Sequence, residues 1–303
     1  MRQPPNHDTG CLPRRGFLKA GAAALGSGLL VLSRSADSQA RPETELTIGV
    51  FTDSHFADRE PAINRYYRDS AEKLAECVRT LAEAKPAFAI CLGDLVDKGK
   101  TVEQQSAFVK QIEAVFRKFD GPRHHVIGNH DVATLTKDQF AAATAMPAPH
   151  YSFDGGPFHF VVLDANYRKD FEPYRAGNFD WTDTWVPPDE QRWLAADLKA
   201  TERKTIVFVH QPLDDEKGAH GVKNAPDVRR LLEASGKVLA VFSGHNHRGA
   251  FHRISGIPYF TLRAMVEGPG LENNAFALVR VSADGAVHIR GYGKQGTRNS
   301  SAG

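Results

Sequence analysis

Apolar and polar positions along the chain fall into two alternating patterns. Short runs rich in β-branched and aromatic residues, "LTIGVFT", "FAICL", "HHVI", "FHFVVL", "TIVFV", "VLAVF", "YFTL" and "FALVRV", read as strands. Between several of them apolar residues recur at helical spacing, over residues 66–84, 101–119, 189–200 and 227–234. Strand-like runs alternating with helices predict a layered α/β fold around a buried, mixed sheet. The late pair "AFALVRV" and "AVHIRGY", separated by residues 282–285, predicts an antiparallel hairpin near one sheet edge. No internal repeat breaks the pattern and nothing inside it reads as a linker. One large domain over residues 41–293 is therefore expected, followed by a soft polar tail over residues 294–303.

The first forty residues follow a different rule. Arg14 and Arg15 precede Phe17, Leu18 and Lys19, then comes a modestly apolar run rich in Ala and Gly, then small residues ending at Ser38, Gln39 and Ala40. A membrane span needs about 20 predominantly apolar residues, and this run is shorter. The order of features reads as a secretory leader of the twin-arginine type, carried by the Tat export machinery to the periplasm or beyond and cleaved near Ala40. No stable membrane anchor is expected after cleavage. Removing residues 1–40, which carry a net +3, turns the whole-chain +2 into −1. The basic balance thus belongs to the leader, and the broad positive footprint that a nucleic-acid partner requires is missing. With Cys11 in the leader, Cys77 and Cys91 remain, and two buried free thiols are expected in preference to a disulfide.

Chemistry-bearing residues gather where the strands end. "LTIGVFT" is followed by Asp53 and His55, "FAICL" by Asp94 and Asp97, "HHVI" by Asn129, His130 and Asp131, "TIVFV" by His210, and "VLAVFS" by His245 and His247. In α/β sheets the crevice beyond the carboxyl ends of strands is where sites form, so the five clusters are expected to converge. Mixed oxygen and nitrogen donors suit a pair of first-row metal ions. One ion would take Asp53, His55 and His247, and the other Asn129, His210 and His245, with Asp94 bridging. Gly93, Gly128 and Gly244 are expected at sharp turns that side chains disfavour. Of the remaining histidines, His150 is a candidate for the site rim, while His124, His125, His159, His220, His252 and His288 are assigned to structure or solvent.

The ordered set "DSH", "GDLVD", "GNHD", "VHQP" and "GHNH" resembles the calcineurin-like metallophosphoesterases across essentially the whole chain beyond the leader. The resemblance implies a four-layered αββα sandwich of two mixed sheets flanked by helices, with a dinuclear centre of manganese, iron in either oxidation state, or zinc. It also implies that His130 is the acid meeting the leaving group and that Asp97 pairs with it. "NRYYRDSAEKL", "QRWLAADL" and "FSGHNHRGAFHRISGIPYFTLRAMVEG" are similar to the manganese-dependent ADP-ribose/CDP-alcohol diphosphatase branch, which is related to bacterial cyclic-nucleotide phosphodiesterases. His55 and Asp131 stand where that branch commonly has Gln and Glu.

The expected activity is hydrolysis of a phosphoester or diphosphate bond in a small molecule by a hydroxide held between two cations. Three classes stay open: a phosphodiesterase or diphosphatase on nucleotide-like substrates, an exported phosphomonoesterase, and a non-catalytic metal-binding module. The complete ligand set argues against the last. Arg59, Asn64, Arg65 and Arg68 are candidates for phosphate contact, with a solvated helix start as the alternative. Residues 166–188 carry six aromatics, among them Trp181 and Trp185, and read either as a loop packed on itself or as a lid that stacks on a flat group.

Overall fold

The computed structural model describes residues 45–215 and 218–300; the leader, its exit at Ala40 and Cys11 lie outside them. The first half runs β1 (Glu45–Phe51), α1 (Asp69–Ala84), β2 (Phe88–Cys91), α2 (Val102–Phe116), β3 (Arg123–His125) and α3 (Lys137–Thr144). The second runs β4 (Tyr151–Gly155), β5 (Phe158–Val162), α4 (Pro188–Ala200), β6 (Lys204–Phe208), α5 (Ala225–Ser235), β7 (Val238–Ser243), β8 (Ala250–Ile254) and β9 (Ile257–Thr261). β10 (Ala275–Ser282), β11 (Val287–Gly293) and β12 (Arg298–Ser300) close the chain.

Two six-stranded mixed sheets result, ordered β12-β11-β10-β1-β2-β3 and β4-β5-β6-β7-β9-β8. In the first, β1, β2 and β3 run parallel; in the second, β5, β6, β7 and β9 do. Because side chains alternate across a strand, β5 to β7 divide their residues between two cores. Phe160, Ile206, Phe208 and Phe242 enter the core between the sheets, while Val161, Val207 and Val241 enter a second core with Leu194 and Leu198 of α4 and Val228 and Leu232 of α5. Phe88 of the first sheet meets Phe160 and Phe208 of the second edge-on, at 4.9 and 6.4 Å between centroids. Helix, sheet, sheet and helix therefore stack as the four layers expected.

Some elements escape the sequence pattern. α3 was not predicted; its signal is a capping box, in which Thr136 and Gln139 satisfy each other's backbone amides. The expected polar tail is a correction, since Arg298–Ser300 pairs with β11 as an edge strand. Arg253 Nη2 donates to Ser300 Oγ at 2.5 Å and ties that edge to β8. Cys77 and Cys91 are both buried and free, as expected. No helix among the described residues is long and apolar enough to cross a membrane.

Candidate metal centre

Parallel strands deliver their following loops to one end of the sandwich. Asp53 N donates to Gly93 O (3.0 Å), His55 N to Asp94 O (2.8 Å) and Gly244 N to His210 O (3.0 Å), so the turns after β1, β2, β6 and β7 are stitched together by backbone. Asp53, His55, Asp94 and His245 hold left-handed backbone, with φ of 51, 44, 52 and 65°. Such conformations cost about 1 kcal/mol or more each in non-glycine residues, and they cluster at functional sites. Gly93 has φ of 101°, as the turn argument predicted, but Gly128 and Gly244 do not have positive φ. Their reason is close approach: a Cβ on Gly128 would fall on the Asp94 amide and carboxylate, and one on Gly244 on Thr52 Oγ1 and Asp53.

Two ligand groups form within the resulting bowl. Asp53, His55 and His247 converge in one, and Asp94, His210 and His245 in the other. Asp94 Oδ2 lies 3.2 Å from His210 Nε2 and 3.4 Å from His55 Nε2, so it faces both groups. His55 Nε2 and His247 Nε2 stand 3.1 Å apart. Second contacts fix which nitrogen points inward: His210 Nδ1 donates to Leu92 O at 2.8 Å, and His247 Nδ1 meets Glu267 Oε1 at 3.0 Å.

The donors fit a pair of cations on three observations. First, His210 Nε2, His245 Nε2 and both amide atoms of Asn129 are buried without a hydrogen-bond partner, a costly arrangement unless something else binds there. Second, burial pushes the Asp53 and Asp94 carboxyls up, yet neighbouring imidazoles more than offset this and hold both below the ordinary range. Third, His210 is lowered by burial but raised more by Asp94, to about 9, so the dry carboxylates demand positive charge at this spot. His245 stays neutral, its pKa held well below the usual value by burial and by His210, which leaves a lone pair to coordinate.

Beside the ligands lies the His130 unit. His130 Nδ1 meets Asp97 Oδ1 at 2.9 Å, and Asp97 also receives Arg59 Nη2 at 2.7 Å, Arg65 Nη1 at 3.4 Å and the Lys98 amide at 2.6 Å. His55, Asp97 and His130 also approach one another as a possible ligand trio, but the two guanidiniums on Asp97 make it a poor cation site. Asp131 takes a different part. It accepts from Val96 N and Gly128 N at 3.1 and 2.9 Å and joins the loops after β2 and β3.

A cleft of about 750 Å³ opens over the centre, lined by Asp94, Asn129, His130, His245 and His247 below and by Ile63, Arg65, Trp181, His220 and Arg248 around it. Several candidates are placed elsewhere. Arg59 is spent on Asp97 and stacks 3.9 Å over Tyr67, so it does not line the cleft. Arg68 pairs with Asp58 and Glu60 in solvent. Trp185 Nε1 donates to Asp183 Oδ1 at 2.7 Å and its ring meets Phe171, away from the cleft. His150 is tied to Glu190 at 3.4 Å and lies against Trp193 rather than at the rim.

The aromatic segment combines both expectations. Tyr174 is fully buried and its hydroxyl donates to the Asp180 and Asp183 carbonyls, while Phe179 and Trp181 turn toward His130 and His245. Two residues went unrecognised in the sequence. His220 stands 5.5 Å from His245 between ring centroids, and Glu267 orients His247. The loop carrying Glu267 is anchored by Lys73, a fully buried amine that donates to the carbonyls of Met265, Glu267 and Gly268 at 2.9, 3.3 and 2.7 Å.

A two-sheet sandwich with paired carboxylate and imidazole ligand groups at its strand ends defines a dimetal hydrolase of phosphoester-type bonds. Residues 46–249 match the family model of calcineurin-like phosphoesterases, and the chain belongs to that family. Similar proteins include the manganese-dependent ADP-ribose/CDP-alcohol diphosphatase of Oryza sativa, 26% identical over 80% of this chain and 90% of the relative. The serine/threonine-protein phosphatase CPPED1 of Mus musculus is 25% identical over 72% and 71%. Among solved structures, a dimetal phosphatase from Danio rerio superposes with a TM-score of 0.76, covering 85% of this chain and 99% of the other at 21% identity.

Proposed function

We propose that the chain hydrolyses a diphosphate or phosphodiester bond in a nucleotide-like substrate, with Mn²⁺ at both positions of the centre. The supporting observation is the cleft: at about 750 Å³ it is far larger than a lone phosphate, and it sets the aromatic Trp181 and His220 beside the cationic Arg65 and Arg248. The name of the rice relative agrees with this substrate class. Asp53, His55 and His247 would hold one ion, and Asn129, His210 and His245 the other, with Asp94 between them. A pair of ions held by these residues would supply Lewis acidity and a hydroxide nucleophile at neutral pH.

The chain's own groups do the rest. His130 has Nδ1 committed to Asp97, which leaves Nε2 to give its proton to the leaving oxygen as the P–O bond breaks and that oxygen keeps the electron pair. Asp97 holds the tautomer, and Arg59 holds Asp97. Arg65 neutralises charge on the bound substrate, and Trp181, 42% exposed, offers a face for a flat group. The measurement that tests this compares hydrolysis of ADP-ribose, CDP-choline, cyclic AMP, an aryl diester and a phosphate monoester with Mn²⁺. The diphosphates or diesters should exceed the monoester by about tenfold or more in kcat/KM, a pocket-contact difference. A monoester preference would instead favour the phosphomonoesterase reading.

Residues 1–40 are proposed to export the chain through the twin-arginine route, supported by the order Arg14-Arg15, Phe17-Leu18-Lys19, apolar run and small-residue exit. Replacing both arginines with Lys should leave the precursor in the cytoplasm. Mature chain found outside regardless would rule the route out.

A further inference from the structure

A second cavity, about 260 Å³, lies at the lateral edge of the sandwich where β8 of one sheet meets β11 and β12 of the other. Three arginines line it: Arg248 directly after the ligand His247, Arg263 after β9, and Arg298 on β12. Arg248 also lines the cleft over the centre, so the two spaces share a wall. No acidic side chain lines this groove.

All three side chains are exposed, and none is neutralised by a carboxylate among the described residues. Arg298 lies 4.4 Å over the Phe251 ring, a cation–π contact that fixes the guanidinium. The Arg263 stem rests on Gly249, where a Cβ would stand 3.1 Å from Arg263 Cγ, and the Arg263 amide donates to Gln295 Oε1 at 2.9 Å. Elsewhere Arg59, Arg65, Arg68, Arg117, Arg203 and Arg280 each sit against a carboxylate. Arg248, Arg263 and Arg298 sit against none among the described residues. Three like charges around one small concavity repel one another unless an anion joins them, and the guanidinium fork matches phosphate oxygens two at a time.

We propose that this groove is a phosphate subsite, one that receives a second phosphoryl group beyond the bond being broken. The proposal rests on the hydrolase reading above for the orientation of the substrate, though not for the binding of the anion. The preferred substrate would then be a nucleotide-like ester carrying an additional terminal phosphate. The same groove would take inorganic phosphate as a free ion, and the experiment separates the two sources.

Inorganic phosphate is titrated calorimetrically into the full chain stoichiometrically loaded with Mn²⁺, and into its Arg263→Gln/Arg298→Gln variant, each with and without EDTA. Arg248 is left intact because it also borders the cleft. The groove predicts two phosphate equivalents for the loaded parent, one for the loaded variant, one for the parent in EDTA, and none for the variant in EDTA. Equal stoichiometry in parent and variant overturns the groove and leaves the centre untouched. Parent binding that EDTA does not diminish counts against the centre and not against the groove.

A second arm compares thymidine 5′-(p-nitrophenyl phosphate) with its 3′-phosphorylated form. If the phosphate belongs to the substrate, the 3′-phosphate lowers KM about tenfold in the parent, equivalent to about 1.4 kcal/mol, and confers no advantage in the variant. If it is a free ion, the two esters share one KM while the calorimetric difference persists. An unchanged kcat on the plain ester shows that the variant is folded, and Arg263→Lys/Arg298→Lys should restore part of the phosphate affinity.

Discussion

His159 and His210 are both buried imidazoles of the second sheet, one on β5 and the other just beyond the neighbouring β6, yet their surroundings differ in one respect. His159 has both nitrogens filled, Nδ1 by Asp154 at 2.7 Å and Nε2 by Asp197 at 2.8 Å. His210 has only Nδ1 filled, by the Leu92 carbonyl, and its Nε2 is buried with no hydrogen-bond partner. The same side chain is thus a finished structural joint in one place and an open donor in the other. What separates these two rings is what their second nitrogen faces: that of His159 ends on the carboxylate of Asp197, while that of His210 points at Asp94 inside a ligand group shared with His245.

The sharpest way to break this comparison is to remove each ring in turn. His210→Ala should lose bound metal and lower hydrolysis by more than about 100-fold, while His159→Ala keeps metal and activity but loses about 1–3 kcal/mol with its two hydrogen bonds to carboxylates. Metal analysis and thermal unfolding read the two outcomes, and equal metal content in both variants would erase the distinction. His130→Ala, a ring with one committed nitrogen that is assigned no metal, should retain metal. It should lose about 10² to 10⁴ in kcat for an alkoxide leaving group and far less for nitrophenolate, since a general acid matters most where the leaving oxygen is basic. A loss independent of the leaving group would mean His130 acts by charge alone.

Glu267→Gln should weaken metal affinity by about 10- to 100-fold, because His247 loses the carboxylate that orients it. Unchanged affinity would assign that orientation to the backbone. The smallest effect concerns Glu190, which packs with His150, Asp164 and Lys137 and touches no proposed ligand. Burial, and then the charge of Asp164 against the opposing pull of His150, raises its pKa from 4.5 to about 7. Between those values the native state binds more protons than the unfolded chain, so stability is full below pH 4.5 and falls as pH rises toward 7. His150, raised by Glu190, acts with the same sign. Glu190→Gln should flatten this slope by on the order of 1 kcal/mol, roughly 2–4 °C in Tm for a chain of this size. An identical pH profile in parent and variant would remove Glu190 as its source.

Much of this was legible in the sequence because the centre lies where periodicity ends and glycine begins. Strand patterns located β1, β2, β3, β6 and β7, and the polar residue after each became a ligand candidate that the fold brings into one bowl. β4, β8 and α3 were not legible. β4 and β8 are edge strands with one partner apiece, and α3 is only 8 residues long, so pattern has little length to act on. Arg59 was misjudged because sequence supplies its charge and not the carboxylate that claims it. His220 and Glu267 reach the site from loops whose paths are fixed by contacts far along the chain, such as Lys73 with the 265–268 carbonyls. No local signal carries that information.

The left-handed backbone at Asp53, His55, Asp94 and His245 also bears on how such a chain would age under mutation. At each of these positions glycine would relieve conformational strain and delete a donor in a single step. Selection for folding alone therefore pulls against the catalytic sequence at four fixed points. A descendant released from its chemical duty should lose those four side chains early, with glycine and asparagine as the favoured replacements, while Gly128 and Gly244, which clear the Asp94 amide and the Thr52 hydroxyl, would stay fixed after Asp94 and Asp53 had gone. The order of those losses would date the end of the activity within a lineage.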